Sequence, residues 1–148
     1  MYSIFCIANW FLSKEAMTPK KLQKLCYYAQ AWNLALCNKR LINNDFQAWI
    51  HGPVCPDLYR RYKNYGWTLI NQEDLSSCSE QLRAEDINLL ESVWTTYGAY
   101  DGQQLESLTH SETPWINARA GLGMWEQSQN IISDEDMRSF YLSIYIGD

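Results

Sequence analysis

Threonine followed by proline at positions 18 and 19 opens a run, TPKKLQKLCYYAQAWNLAL, that constrains the fold more than any other segment. Thr18 offers the side-chain acceptor of an N-cap, and Pro19 suits the first helical position, where its missing N–H costs nothing. Past a first turn bearing Lys20, Lys21 and Lys24, the residues Leu22, Leu25, Cys26, Ala29 and Leu36 share one face at a 3.6-residue period. Tyr27, Ala31 and Leu34 form a second apolar strip behind that face. A helix that is apolar on two sides must be covered on two sides. The pattern therefore predicts a mainly α fold, compact and helical around one central buried helix, with at most one or two short strands. A chain of 148 residues suits one domain over 1–148.

The flanking segments supply the covering elements. Ile4, Phe5, Ala8, Phe11 and Leu12 have helical spacing and predict a helix packed on the central one. The run NKRLINND from Asn38 to Asp45 reads as a polar turn leading into FQAWI. There Phe46, Ala48 and Ile50 alternate with Gln47 and Trp49, the pattern of a short strand. Pro53 and Pro56 stop any helix from running through HGPVCPDLY, but Pro56 can open one carrying Leu58, Tyr59 and Tyr62. A rigid turn followed by a helix is expected. Asn71 to Ser79 reads as a loop, followed by a helix with Ile87, Leu90, Trp94 and Tyr97 that Gly98 stops. Two short helices come next, one with Leu105 and Leu108, the other with Thr113 as cap and Pro114 at its first position. Ser133 with Asp136 resembles a capping box for a closing helix with Met137, Phe140, Tyr141 and Ile144. Leu22, Leu25, Ala29, Leu36 and Trp94 are expected to be buried together.

Chemistry-bearing residues are few. Cys6, Cys26, Cys37, Cys55 and Cys78 contain no C-x-x-C pair. With only His51 and His110 to add, no metal site and no cofactor is expected. An odd cysteine count without a signal-like leader suits free, buried thiols in a reducing cytoplasm. No Gly-rich phosphate loop, nucleophile elbow or H-E-x-x-H pair is present, so the chain does not read as an enzyme. The best catalytic constellation would be Cys55 with His51 or His110 and an acid, but Cys55 lies between two prolines with no base placed beside it. No apolar run approaches the roughly 20 residues of a membrane crossing.

The formal charge of −5 conceals an asymmetry. Residues 1–65 hold nine Lys or Arg against three acids, and residues 66–148 hold three Arg against fourteen acids. Either the halves attract each other within one domain, or the acidic half steers a charged partner. The clusters Lys20, Lys21, Lys24 and Arg60, Arg61, Lys63 raise nucleic acid as a partner, but a pI near 5.0 opposes phosphate binding. Trp49, Tyr59, Tyr62, Trp67 and Trp115 gather near turns, where they serve either as interface anchors or as core filler.

Three runs in order, TPKKLQKLCYYAQAWNLAL, FQAWIHGPVCPDLYRRY and LTHSETPWINAR, resemble the Panacea domain family, which includes SocA-like and phage-associated GepA-type proteins. The resemblance covers nearly the whole chain from Thr18. It implies a small helical cytoplasmic protein acting as the antitoxin of a two-gene pair, whose partner is a protein toxin encoded by the neighbouring gene. Nucleic acid and membrane are not implied as partners. The alternative is a phage or prophage adaptor or regulator that binds a host protein. The matching positions are His51, Gly52, Pro53, Val54, Pro56 and Tyr59, then Thr109, His110, Pro114, Trp115 and Arg119, with Trp49 beside the first group. They are either scaffold or contact surface. Cys26 stands where Leu is more usual, and Asn33 follows Trp32 where His is common.

Overall fold

The computed structural model describes residues 1–147 and is organised around the helix that starts at Thr18-Pro19. Ile4–Lys14 forms α1 and Pro19–Cys37 forms α2. Thr18 accepts the Lys21 N–H at 3.3 Å, and Pro19 takes the first turn. Asn38, left-handed at φ 54°, ends the helix by donating its N–H to the Leu34 carbonyl. Antiparallel strands Gln47–Trp49 (β1) and Gly52–Val54 (β2) follow, with Ala48 opposite Pro53. Then come Pro56–Tyr62 (α3), a 3₁₀ turn at Lys63–Tyr65, Ala84–Tyr97 (α4), Gly102–His110 (α5), Thr113–Ala118 (α6) and Asp134–Tyr145 (α7).

Five helices and β2 pack directly on α2. Leu22, Leu25, Cys26, Tyr27, Tyr28, Ala29 and Ala31 are buried along it, which is the consequence of a helix apolar on both sides. Its lysines are turned to structural work rather than to solvent. Lys21 Nζ donates to the Gly98 carbonyl at 2.6 Å, at the end of α4, where the helix dipole favours a cation. A buried polar knot ties the far side. Glu112 Oε1 accepts both the Tyr28 and Tyr141 hydroxyls at 2.7 Å, so Tyr27, 3.1 Å from Tyr141, must donate to it. Burial pushes the Glu112 carboxyl up, and the two tyrosine donors offset part of that rise. Tyr28 also stacks on Tyr97 of α4 with ring centres 4.0 Å apart.

Several expectations are corrected. Leu36 is exposed, because the last turn of α2 runs beyond the elements that cover it, and Ile144 is exposed near the end of α7 for the same reason. The inward face of α4 carries Asp86, Leu90, Val93 and Tyr97, which leaves Ile87 and Trp94 half-buried. Leu41 and Ile42 in the polar turn are buried, since the Gln30 side chain satisfies both of their backbone N–H groups and the Ile42 carbonyl. Gly52 to Val54 is a strand rather than a rigid turn. The cap of α6 is Glu112 instead of Thr113, so Pro114 lies one position further in.

The cysteine reading is also corrected. Cys6 and Cys78 form a disulfide, while Cys26, Cys37 and Cys55 are free. The long loop after the 3₁₀ turn folds back over α1, where Asn9 pairs with the Ser76 backbone and Gln72 donates to the Leu12 carbonyl. That return brings the two Cα atoms to 5.2 Å despite a sequence separation of 72, a proximity no local spacing encodes. The reducing compartment inferred from unpaired thiols loses that support. Among the described residues no helix is long and apolar enough to cross a membrane.

Candidate partner-binding site

The two motif segments that sequence reading singled out meet on one hairpin. Trp115 of α6 donates its indole N–H to the Trp49 carbonyl at 2.8 Å, and Arg119 donates to the Ala48 carbonyl at 3.0 Å. Arg119 also donates to the carbonyls of Gly123 and Glu126, at 3.1 and 2.5 Å, and lies over the Trp115 ring. On the edge of β1 turned away from β2, where Arg119 also binds, Ala48 donates to the Asn130 carbonyl and Ile132 donates to the Phe46 carbonyl, each at 2.8 Å. With the outer edge of β1 engaged, a hairpin of three-residue strands is braced.

Beneath the hairpin the packing is tight enough to dictate its residue types. Gly52 sits at φ +106°, and a Cβ there would lie 2.8 Å from Lys24 Cε and 3.0 Å from Thr109 Oγ1. Lys24, 1% exposed, donates to the Pro53 carbonyl at 3.2 Å. Burial pushes its ammonium down to about 7, with Glu106 opposing that shift and Lys20 adding to it. Glu106 accepts from Lys20 at 2.6 Å and lies 3.2 Å from His51 Nδ1. Burial alone would raise its carboxyl, but Lys20 and His51 together hold it below the usual carboxylate range. Gln23 binds both the N–H and the carbonyl of Cys55, fixing the start of α3 to α2.

The motif residues thus divide by burial. Gly52, Pro53, Val54, Thr109, Pro114 and Arg119 are buried supports, and Pro56 opens α3 behind them. His51 and Tyr59 are exposed, while Trp49, His110 and Trp115 are half-buried. Tyr59 meets Trp49 edge-on at 5.0 Å, and His110 stacks on Trp115 at 4.1 Å. Burial pushes the His110 imidazole down, and its Nε2 has no hydrogen-bond partner among the described residues. Tyr62 fills the core, whereas Trp67 is 87% exposed, so the aromatics near turns are not all core filler.

Cys55 does not have the environment of a nucleophile. It is buried behind the hairpin, and burial pushes its thiol up, away from the thiolate that attack requires. Hollows flank the hairpin instead, one of about 620 Å³ at Trp49, Ile50 and His51 among them. A cleft of about 590 Å³ lies between the first turns of α2, the hairpin and α3, and includes Lys24, Trp49, His51, Tyr59 and Trp67. A smaller hollow of about 380 Å³ is lined by His110, Trp115, Arg119, Met124 and Trp125.

Sequence reading missed Lys24 and Glu106 as members of this assembly. A lysine in the first turns of a helix and an acid on a short amphipathic helix ordinarily face water. Only the tertiary approach of α5 to α2 turns them inward.

Residues 22–116 match the family described as antitoxin SocA-like, Panacea domain. A curated relative, Antitoxin SocA of Caulobacter vibrioides (strain NA1000 / CB15N), is 33% identical over 124 residues, covering 74% of this chain and 66% of that protein. The match therefore spans just under two thirds of the relative's length. No solved structure matches the chain.

Proposed function

The chain belongs to the antitoxin SocA-like Panacea domain family, and on that premise we propose that it is an antitoxin that neutralises a protein toxin by binding it directly. The observation that carries the proposal is the braced hairpin. Two segments joined across 66 and 71 residues of sequence are locked together by Trp115 and Arg119, and around them Tyr59, Trp67, Ile116, Met124 and Trp125 remain exposed. Exposed apolar groups clustered on a rigid support are characteristic of protein contact surfaces. The buried motif residues act as scaffold and the exposed ones, with their neighbours, as contact surface. Residues 1–148 act as one domain, since α1 and α7, outside the matched residues, both pack on α2. The partner is the product of a neighbouring gene, met in the cytoplasm where both are made.

Co-expression tests this reading. The neighbouring gene should arrest growth when expressed alone, and this chain should restore growth. Persistent arrest with both proteins present and soluble would overturn it, and recovery of a host protein in place of the toxin would support the adaptor alternative.

A further inference from the structure

Building on the proposed partner-binding role, we propose that the cleft between α2, the hairpin and α3 receives a segment of the partner polypeptide presenting an aromatic or large aliphatic side chain next to carboxylates. At about 590 Å³ the cleft is of a size that takes a few side chains. Its walls include Leu22, Val54, Leu58 and the rings of Trp49, Tyr59 and Tyr62, which suit an apolar anchor. At the rim, Trp67 is 87% and Tyr59 44% exposed, so aromatic surface continues outward from the cleft. An extended chain would cover that rim, whereas a small enclosed molecule would leave it in water.

Charge fixes the second half of the requirement. Lys20, Lys24 and Lys63 line the cleft with Asp101, and since Lys20 is paired with Glu106 and Lys24 is buried, Lys63 is the exposed cation left to a partner in a protein whose overall charge is −5. An acidic segment is therefore repelled by most of the surface and attracted here, which sets its register as well as its affinity. Lys24, 1% exposed and bonded to the Pro53 carbonyl, lies beneath the cleft and does not meet an incoming carboxylate. Lys63 is exposed at the mouth. Lysines beside aromatic rings also suit single-stranded nucleic acid. Against that reading, residues 66–148 carry fourteen acids to repel a phosphate backbone.

The test is selection from a phage-displayed random dodecapeptide library on the full chain, counter-selected on a Trp67→Ala/Lys63→Glu double variant. Both side chains are exposed, so the variant should keep the wild-type circular dichroism spectrum and melting temperature. Selected peptides, labelled with fluorescein, should share an aromatic or aliphatic residue beside Asp or Glu. Their affinity should fall about tenfold or more on the double variant, and likewise when their acids are replaced by amides. Absence of enrichment over the variant, a consensus without acids, equal affinities, or preferential binding of a labelled oligothymidine would overturn the proposal. Growth rescue by the wild-type chain separates the two readings. If rescue succeeds but peptide selection fails, the cleft assignment falls alone. If peptides select as expected but rescue fails, the antitoxin reading falls and the cleft stands.

Discussion

Gly52 shows how a single position couples the motif to the core. Its φ of +106° and the 2.8 Å approach of Lys24 Cε leave no room for a Cβ. Gly52→Ala should destabilise the fold by about 1–3 kcal/mol in urea titration, through backbone strain together with displacement of Lys24. A stability equal to wild type would mean that the hairpin does not press on Lys24. Lys24 itself makes a pH prediction. Its folded value of about 7 lies below the unfolded 10.5, so between these limits the unfolded chain binds the additional proton. Stability conferred at this residue should therefore rise as pH increases from 7 towards 10.5, and fall away as pH drops to 7. Lys24→Met should flatten that rise, measured as unfolding free energy at several pH values. Pro53 was legible as a residue that no helix runs through, whereas Gly52 entered only as a motif position. The role of Lys24 was not legible, because helical position says where a side chain starts and not what later packs over it.

At the level of elements, the helices were largely legible because caps and periodicity are local. Thr18, Pro19, Ser133 and Gly98 mark boundaries that the fold uses. Errors fall where tertiary contacts decide. Glu112 is drawn inward by two tyrosines and becomes the cap of α6, and the inward face of α4 is set by its neighbours. The central role of α2 predicts that Leu25→Ala, at a fully buried position, costs about 2–5 kcal/mol in chemical denaturation. The hairpin brace predicts a second effect. Arg119→Ala strips donors from the Ala48, Gly123 and Glu126 carbonyls and should cost about 2–4 kcal/mol, with weaker partner binding at temperatures where the variant is still folded. The disulfide joins α1 to a loop with no helix or strand of its own. Reductant should lower the melting temperature by the equivalent of about 2–4 kcal/mol, and a Cys6→Ala/Cys78→Ala variant should be insensitive to reductant.

Across the whole molecule, the charge asymmetry that was plain in the sequence proves to be partly internal. Lys14–Glu91, Lys20–Glu106, Arg40–Asp134 and Arg61–Asp74 each join a cation of residues 1–65 to an acid of residues 66–148. Such partly exposed pairs contribute little stability individually, but they hold the halves in register. They leave an acidic excess facing solvent, which gives two expected outcomes: the melting temperature should respond modestly to salt, and association with a basic partner surface should slow as salt shortens the screening length to about 8 Å. An on-rate that is flat from low to high salt would remove the steering role. Which surface the partner touches was not legible, since exposure of Trp67 and Trp125 and burial of Tyr62 depend on contacts distant in sequence. The central claim is direct binding to a toxin. Its most direct measurement is calorimetric titration of the purified neighbouring-gene product with this chain. A saturable complex is expected, weakening at least about tenfold for the Trp67→Ala/Lys63→Glu variant. Two folded, active proteins that show no binding in that titration would contradict it.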